Sequence, residues 1–386
     1  MSIFRTKNLD AMIAASAKPG GLKKVLGPTD LILLGIGAIV GTGIFVLTGT
    51  GAVTAGPGLS LSFVIAAMAC CFAALCYAEF ASTVPVAGSI YTYSYATLGE
   101  FVAWMIGWDL LLEYGLATST VAVGWSGYFQ SLLSGFGVVL PDALTAAPGA
   151  RPGVETLFNL PAFLIMMAIT FLLSLGMRES ARLNNVMVII KISVVLLFIA
   201  VGVGHVKPEN WQPYMPYGMT GVMSAAALVF FAFIGFDAVT SAAEEVKNPA
   251  RDLPIGIIGS LIICTILYVV VAAIMTGIVP HMDFKGVDHP VSLALQVAGE
   301  DWVAGFVDLA AILGMSTVML VMAYGQTRIL FAMSRDGLMP ARLSKVHPKY
   351  GTPFFATWLV GIIFGLIAAV VPLTVLAELV NIGTLA

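Results

Sequence analysis

Long apolar runs dominate this chain and limit what it can fold into. Nine stretches are long and apolar enough to cross a bilayer, which takes about 20 residues, and a tenth begins near Leu373. Hydrophobic residues make up 59% of the chain and charged residues only 10%, whereas soluble domains are about a quarter charged. The sequence therefore predicts an all-helical (all-α) integral membrane protein. The nine predicted spans lie near 29–52, 58–83, 101–135, 157–176, 184–204, 219–243, 255–279, 303–332 and 354–372.

Lysine and arginine are distributed unevenly between the two sides that these spans define. Fourteen of the 18 lie on the side of the N-terminus, three lie on the opposite side, and Lys191 lies inside a span. Because positively charged loops remain in the cytoplasm, we predict a cytoplasmic N-terminal segment at 1–28 and a location in the cell membrane. No loop is long enough for a separate domain, so we expect a single transmembrane domain over 1–386.

The sequence lacks the motifs of several other function classes. A net charge of −3 provides no basic surface for nucleic acid. No glycine-rich phosphate loop indicates a nucleotide, and no histidine or cysteine cluster has metal-ligand spacing. No arrangement of side chains indicates catalysis. We therefore expect neither an enzyme nor a protein that binds a cofactor, a metal, a nucleotide or nucleic acid.

Two predicted spans carry glycine where a membrane helix would otherwise be continuous. Span 1 contains Gly41 and Gly43 near its middle, and span 6 contains Gly235 followed by Asp237. Taken alone, the glycines of span 1 fit close helix packing equally well. Spans five apart cross in opposite directions, however, and matched interruptions in two inverted halves are typical of transporter sites at the midplane. Freed helix N-termini would attract a carboxylate there, and freed carbonyls would attract an ammonium group.

Four motifs in the same order resemble those of the amino acid–polyamine–organocation permeases, and two of them resemble the cationic amino acid transporter subfamily in particular. The resemblance implies the 5+5 inverted-repeat fold of the leucine transporter, with broken helices 1 and 6. Repeat one would cover about 29–204 and repeat two about 219–386, with the chain expected to end within helix 10. The motifs are Gly35-Ile-Gly-Ala-Ile-Val-Gly-Thr-Gly-Ile-Phe45 and Glu244-Glu-Val-Lys-Asn-Pro-Ala-Arg-Asp-Leu-Pro254, then, for the subfamily, Leu75-Cys-Tyr-Ala-Glu-Phe80 with Gly88-Ser-Ile-Tyr-Thr-Tyr-Ser-Tyr-Ala-Thr-Leu-Gly-Glu100, and Arg328-Ile-Leu-Phe-Ala-Met-Ser-Arg-Asp-Gly-Leu338.

The resemblance also implies a substrate site at the two interruptions. Backbone groups of span 1 and one hydroxyl would hold the substrate carboxylate, and carbonyls of span 6 would hold its ammonium group. An aromatic side chain of span 6 would cover the substrate, with ordinary packing as the alternative. The matching positions are Ile39, Thr42 and Gly43 for the carboxylate, Phe231, Ala232 and Ile234 for the ammonium group, and Phe231 for the cover.

Lys191 places a charge inside predicted span 5. The residues alone support a role in the transport pathway and extension to the cytoplasmic surface equally well. In proton-coupled members of the family, a lysine on this helix takes the place of a bound sodium ion. The resemblance therefore implies proton coupling by Lys191, with the carbonyls of Gly37 or Ala38 and the hydroxyls of Ser316 and Thr317 as its partners.

Three further side chains bear on the site. Met322 falls where animal cationic carriers have a small hydroxyl residue, and it fills volume that a long cationic side chain would need. Glu113 on span 3 is a candidate to line the pocket, with a structural hydrogen bond as the alternative. Asp308 is expected near the membrane surface.

These observations predict a secondary-active transporter that works by alternating access. We expect proton-coupled uptake of small neutral L-amino acids such as alanine, with membrane lipid as the only other partner. A carrier or exchanger of cationic amino acids is the alternative within this class. A channel or receptor-like membrane protein is the alternative from another class, but a channel would need a continuous polar pore.

Overall fold

The structure, a computed structural model, describes residues 26–83, 90–151, 153–176, 181–241, 243 and 246–385, together with residue 6. Most of the predicted cytoplasmic segment 1–28 lies outside these residues. So do positions 84–89 and 244–245, which belong to two of the family motifs.

The described chain is built from helices joined by short segments. Each predicted span corresponds to one helix, except that spans 1 and 6 are each divided into pieces. The helices are α1 (Pro28–Ile39), α2 (Thr48–Ala55), α3 (Leu59–Thr83), α4 (Ile90–Thr97), α5 (Glu100–Gly135), α6 (Leu160–Ser174), α7 (Ala181–Gly202), α8 (Gly218–Val229), α9 (Ala238–Ser241), α10 (Pro249–Ile278), α11 (Pro290–Val297), α12 (Asp301–Arg335), α13 (Phe354–Val370) and α14 (Leu373–Leu385).

Several of these helices have the length and composition of membrane spans. Four helical stretches within the described residues are long and apolar enough to cross a bilayer: Gly43–Phe80, Asn185–His205, Pro249–Ile278 and Asp301–Arg335. Five shorter apolar helices accompany them. Helix α5 has 36 residues and α12 has 35, or about 54 and 53 Å at 1.5 Å per residue. Both exceed the roughly 30 Å hydrocarbon core, so they are tilted or extend beyond it.

Local sequence signals set where the helices begin. Pro28 occupies the first turn of α1, and the Asp30 carboxylate accepts a hydrogen bond from the Gly27 backbone N–H at 2.9 Å. The side chain of Asn159 caps α6 by accepting from the backbone N–H of Ala162 at 3.2 Å. Both caps satisfy N–H groups that a helix end leaves unpaired.

The interruption of span 1 follows Ile39. Val40 has an extended backbone (φ −75°, ψ 99°), and a π-helical turn, Gly43–Leu47, precedes α2. Span 6 changes to a 3-10 helix at Phe230–Phe233, and Gly235 has a left-handed φ of +113° before α9 begins. Both spans therefore lose regular α-helical hydrogen bonding at mid-length.

Packing places α5 and α12 side by side in the bundle, with α10 against α1 and α3. We call the side that carries residues 136–159 and 279–300 the far side, and the side that carries residues 26–27 and 336–353 the near side. Asp308 lies two turns inside α12 and is buried, and its Oδ2 accepts from the Ser131 hydroxyl of α5 at 2.8 Å. The expectation of a position near the surface was wrong, because α5 extends far enough to cover this part of α12.

One short contact joins the near-side ends of the interrupted spans. Leu26 and Val246 form an isolated parallel β-bridge, and the Lys247 N–H donates to the Leu26 carbonyl at 3.0 Å. The segment that enters α1 is therefore hydrogen-bonded to the segment that follows α9.

Candidate functional site

The interruptions of spans 1 and 6 lie against each other. A Cβ added at Gly43 would lie 2.4 Å from both Cα and Cβ of Ala232. A Cβ at Gly235 would lie 3.0 Å from the backbone carbonyl of Ala38, and its φ of +113° disfavours any L side chain. Glycine at these two positions is what permits the backbones to approach each other this closely.

Tyr268 of α10 joins the carbonyl groups that the interruptions release. Its hydroxyl lies 2.9 Å from the carbonyl oxygen of Ile39 and 2.9 Å from that of Ala232. The side chain is fully buried, and its ring packs against those of Phe63 and Phe233 at centroid distances of 5.3 Å. Since lipid cannot satisfy a free carbonyl, this hydroxyl stabilises both interruptions. The sequence analysis did not identify Tyr268, although a phenol within an apolar span could have suggested such a role.

A small cavity lies where the two interruptions meet. Its volume is about 20 Å³, less than the roughly 30 Å³ that one water molecule occupies in the liquid. The cavity is closed around the site and would have to enlarge to hold an organic substrate. It is lined by Ala38, Ile39, Gly41, Thr42, Gly43, Ala117, Val121, Phe231, Ile234, Val318 and Met322.

Thr42 provides the polar group of this cavity that calls for a ligand. The residue is 1% exposed, and its Oγ1 has no hydrogen-bond partner within the described part of the chain. An unpaired buried hydroxyl costs about 1–3 kcal/mol, so such a group usually has a function or an unseen partner. Its neighbours in the lining are otherwise apolar side chains and backbone groups.

The structure brings together most of the residues predicted to bind substrate. Six of them line the cavity: Ile39, Thr42, Gly43, Phe231, Ile234 and Met322. Ala232 lies beside it, in contact with Gly43.

Glu113 is not among the residues that line this cavity. It precedes Ala117 by one turn of α5, which places it about 6 Å toward the near side. Its Oε1 accepts from the Thr384 hydroxyl of α14 at 2.9 Å. Nearby, the Tyr114 hydroxyl donates to Asp237 Oδ2 at 2.9 Å. The acidic side chains therefore lie on the near side of the cavity.

Lys191 reaches the interrupted part of span 1 from α7. It is 1% exposed, and its Nζ donates to the Gly37 carbonyl oxygen at 2.9 Å, so the side chain does not extend to the surface. Gly314 of α12 provides the space, because a Cβ there would lie 2.8 Å from Lys191 Cε.

Ser316 and Thr317 lie on the same part of α12. The Ser316 hydroxyl accepts from Trp125 Nε1 at 3.0 Å and donates to the Ile312 carbonyl at 2.8 Å. The Thr317 hydroxyl donates to the Gly314 carbonyl at 2.8 Å. The Thr317 bond is therefore to the glycine against which Lys191 packs.

The fold and this cavity define a multi-pass membrane protein with a small central site enclosed by two interrupted spans. The profile of the family described as Amino acid permease matches residues 26–386, and the chain belongs to that family. It is a permease of the amino acid–polyamine–organocation superfamily that resembles the cationic amino acid transporter subfamily.

Relatives agree with this assignment. The chain is 70% identical over 384 residues to the branched-chain amino acid permease BcaP of Bacillus subtilis (strain 168), covering all of the chain and 83% of the relative. It is 54% identical over 386 residues to the methylthioribose transporter of the same strain, again covering 83% of the relative. It is 37% identical over 395 residues to the vacuolar cationic amino acid transporter 4 of Arabidopsis thaliana, of which it covers 65%. The chain is thus an amino acid transporter and not an enzyme.

Proposed function

We propose that the protein takes up neutral aliphatic L-amino acids together with protons, by alternating access. The observation that carries the proposal is the buried, unpaired hydroxyl of Thr42 at the point where two interrupted spans enclose a cavity. A substrate carboxylate would accept from this hydroxyl and from the backbone N–H groups that follow Ile39. The ammonium group would lie against the carbonyls of Phe231, Ala232 and Ile234, with the Phe231 ring as the cover.

The proposed framework is a single domain with two inverted repeats of five spans. Repeat one would run over about 29–204 and repeat two over about 219–386, so that spans 1 and 6 are the broken helices. In that arrangement the far side is extracellular and the N-terminus cytoplasmic, in keeping with the distribution of lysine and arginine.

The lining favours a neutral, aliphatic substrate. Ile39, Val121, Val318 and Met322 offer apolar contacts, and Glu113 lies outside the cavity lining. Alanine and the branched-chain amino acids fit this chemistry, and a relative at 70% identity is named a branched-chain amino acid permease. The buried Met322 opposes a long cationic substrate, which is the alternative within the class.

Lys191 is the proposed proton-coupling residue, with Ser316 and Thr317 as nearby polar groups. In its charged form the ammonium group donates to Gly37 in span 1, two residues before the helix ends at Ile39. Loss of the proton would remove the charge from that bond and weaken it. Proton release would thereby change the stability of the segment that binds the substrate carboxylate.

Uptake by purified protein in liposomes tests the proposal. The panel contains L-alanine, L-valine, L-leucine, L-arginine and methylthioribose, each with and without an inward proton gradient. We expect saturable uptake of the neutral amino acids that the gradient accelerates, and no acceleration in Lys191→Ala. Preferred uptake of arginine or methylthioribose would overturn the substrate assignment. Undiminished gradient-driven uptake by Lys191→Ala would overturn the coupling role.

A further inference from the structure

A second and larger cavity opens on the far side of the bundle. Its volume is about 180 Å³, enough for roughly six water molecules or one small organic molecule. Five elements contribute to it: α2, α5, the segment 146–159, the segment 284–288 and the start of α14. The lining residues are Thr50, Val53, Val123, Ala146, Ala147, Ala150, Asn159, Phe284, Lys285, Gly286, Val287, Asp288, Pro372, Leu373 and Thr374.

This outer cavity lies above the central one along the same two helices. Thr50 follows Gly43 by seven residues in span 1, which corresponds to about 10 Å along a helix. On α5, Val121 lines the central cavity and Val123 lines the outer one. Between them, a Cβ at Gly124 would lie 2.8 Å from the side chain of Val46, so a tightly packed layer separates the two spaces.

Two opposite charges line the outer cavity. Lys285 and Asp288 lie three residues apart in the segment before α11. Asp288 is held firmly, because a Cβ at Gly127 of α5 would lie only 2.4 Å from its Cβ. Its Oδ2 forms an ion pair with Arg151 Nη2 at 3.1 Å, and within the described residues its Oδ1 makes no hydrogen bond. One carboxylate oxygen is thus available to a second cation.

The remaining lining suits an aliphatic side chain. Val53, Val123, Phe284, Val287 and Leu373 present apolar groups to the same space. A cavity with one ammonium group, one carboxylate and an apolar wall matches the three parts of a neutral amino acid. A neutral sugar derivative would leave both charges without partners, which opposes that class of ligand.

We propose that the outer cavity is a second binding site, where a zwitterionic aliphatic L-amino acid waits before the central site opens. Lys285 binds its carboxylate, Asp288 Oδ1 binds its ammonium group, and the apolar wall receives its side chain. The inference rests on the proposed function for the substrate class and for the far side being extracellular.

Three variants separate this role from a purely structural ion pair. Asp288→Asn removes the proposed ammonium partner and breaks the ion pair with Arg151. Arg151→Gln breaks the same ion pair but leaves the Asp288 carboxylate in place. Lys285→Gln removes the proposed carboxylate partner at an exposed position, where the fold tolerates the change. Thermal unfolding of each purified variant shows whether it remains folded.

Two measurements are made on each protein: the number of radiolabelled L-leucine molecules bound at saturation, and the kinetics of L-leucine uptake into liposomes. We expect two molecules bound to the wild type and to Arg151→Gln, but one to Asp288→Asn and to Lys285→Gln. We also expect the latter two variants to raise the KM for uptake by about 3- to 10-fold, since each loses one charged contact at a partly exposed site.

The outcomes distinguish the inference from the function on which it rests. Uptake of L-leucine with one molecule bound to the wild type would overturn the second site and leave the transport function intact. Equal effects of Arg151→Gln and Asp288→Asn would show that the ion pair is structural, which also overturns the site. Absence of neutral amino acid uptake by the wild type would overturn the proposed function, and the inference with it.

Discussion

Tyr268→Phe removes a single oxygen atom from the point where the two interrupted spans meet. In the wild type, the Tyr268 hydroxyl lies 2.9 Å from the carbonyl oxygens of Ile39 and of Ala232. The ring packs against two phenylalanines and is fully buried, so phenylalanine can occupy the same volume. The substitution therefore isolates the hydrogen bonds from the packing.

The cost follows from the burial of the two carbonyls. A hydroxyl carries one proton and serves the two acceptors in turn, and its loss leaves both without this partner in a site that excludes water. A buried polar group left unpaired costs about 1–3 kcal/mol. We therefore expect the closed state to lose about that much stability, or roughly 5- to 150-fold in its population, since about 1.4 kcal/mol is tenfold.

Thermal unfolding in detergent, with and without L-leucine, measures the effect. We expect a lower melting temperature for Tyr268→Phe and a larger stabilisation by L-leucine than in the wild type, because the substrate ammonium group can take the place of the hydroxyl at Ala232. Tyr217→Phe is the matched control, since that hydroxyl lies at an exposed position against Met282 Sδ at 3.3 Å. The control should change stability by less than about 0.5 kcal/mol.

Two results would refute this reasoning. If Tyr268→Phe melts with the wild type, the hydroxyl does not stabilise the interruptions. If the variant is destabilised but gains no more than the wild type from L-leucine, the ammonium group does not replace the hydroxyl at the Ala232 carbonyl.

Three further substitutions test other parts of the structure. Gly43→Ala forces a methyl group to within 2.4 Å of the Ala232 backbone, and we expect a loss of about 1–3 kcal/mol and of uptake, whereas Gly305→Ala, which meets nothing within 4 Å, should be neutral or stabilising. Met322→Ser enlarges the central cavity and should allow L-arginine to inhibit uptake of L-leucine; Met333→Ser, at a buried methionine outside the cavity lining, should not, and continued exclusion of arginine by Met322→Ser would contradict the size argument. Burial lowers the pKa of His289 beside α11, so the folded protein binds that proton less readily than the unfolded chain and loses stability as the pH falls below the ordinary value of 6.5. His289→Gln should therefore flatten the decline in melting temperature between about pH 7 and pH 5, and an unchanged decline would assign it to other groups.

Patterns within one span were sufficient to predict several features of the fold. Apolar length located the membrane helices, and glycine at 41, 43 and 235 indicated where regular helix would end. The structure ends α1 at Ile39 and gives Gly235 a positive φ, close to those positions. A local pattern carries this information because backbone propensity and apolar length are properties of neighbouring residues.

Features that depend on distant residues could not be predicted in this way. The two carbonyls that share Tyr268 come from segments 229 and 36 residues away, and Arg151 pairs with Asp288 across 137 residues. The burial of Asp308 depends on how far α5 extends beside α12, which is a matter of packing. Nothing in the sequence near these residues shows which partner the fold provides.

The β-bridge between Leu26 and Val246 has a mechanical consequence for the transport cycle. Because the segment entering α1 is hydrogen-bonded to the segment following α9, the near-side halves of the two broken spans form one rigid lever. Such a lever has a single hinge axis, so the near-side gate swings as a unit. A state in which only one of the two halves has moved would require the bridge to break. The bridge therefore acts as a crosspiece that suppresses half-open leaks, at a position more than ten residues from the cavity it protects.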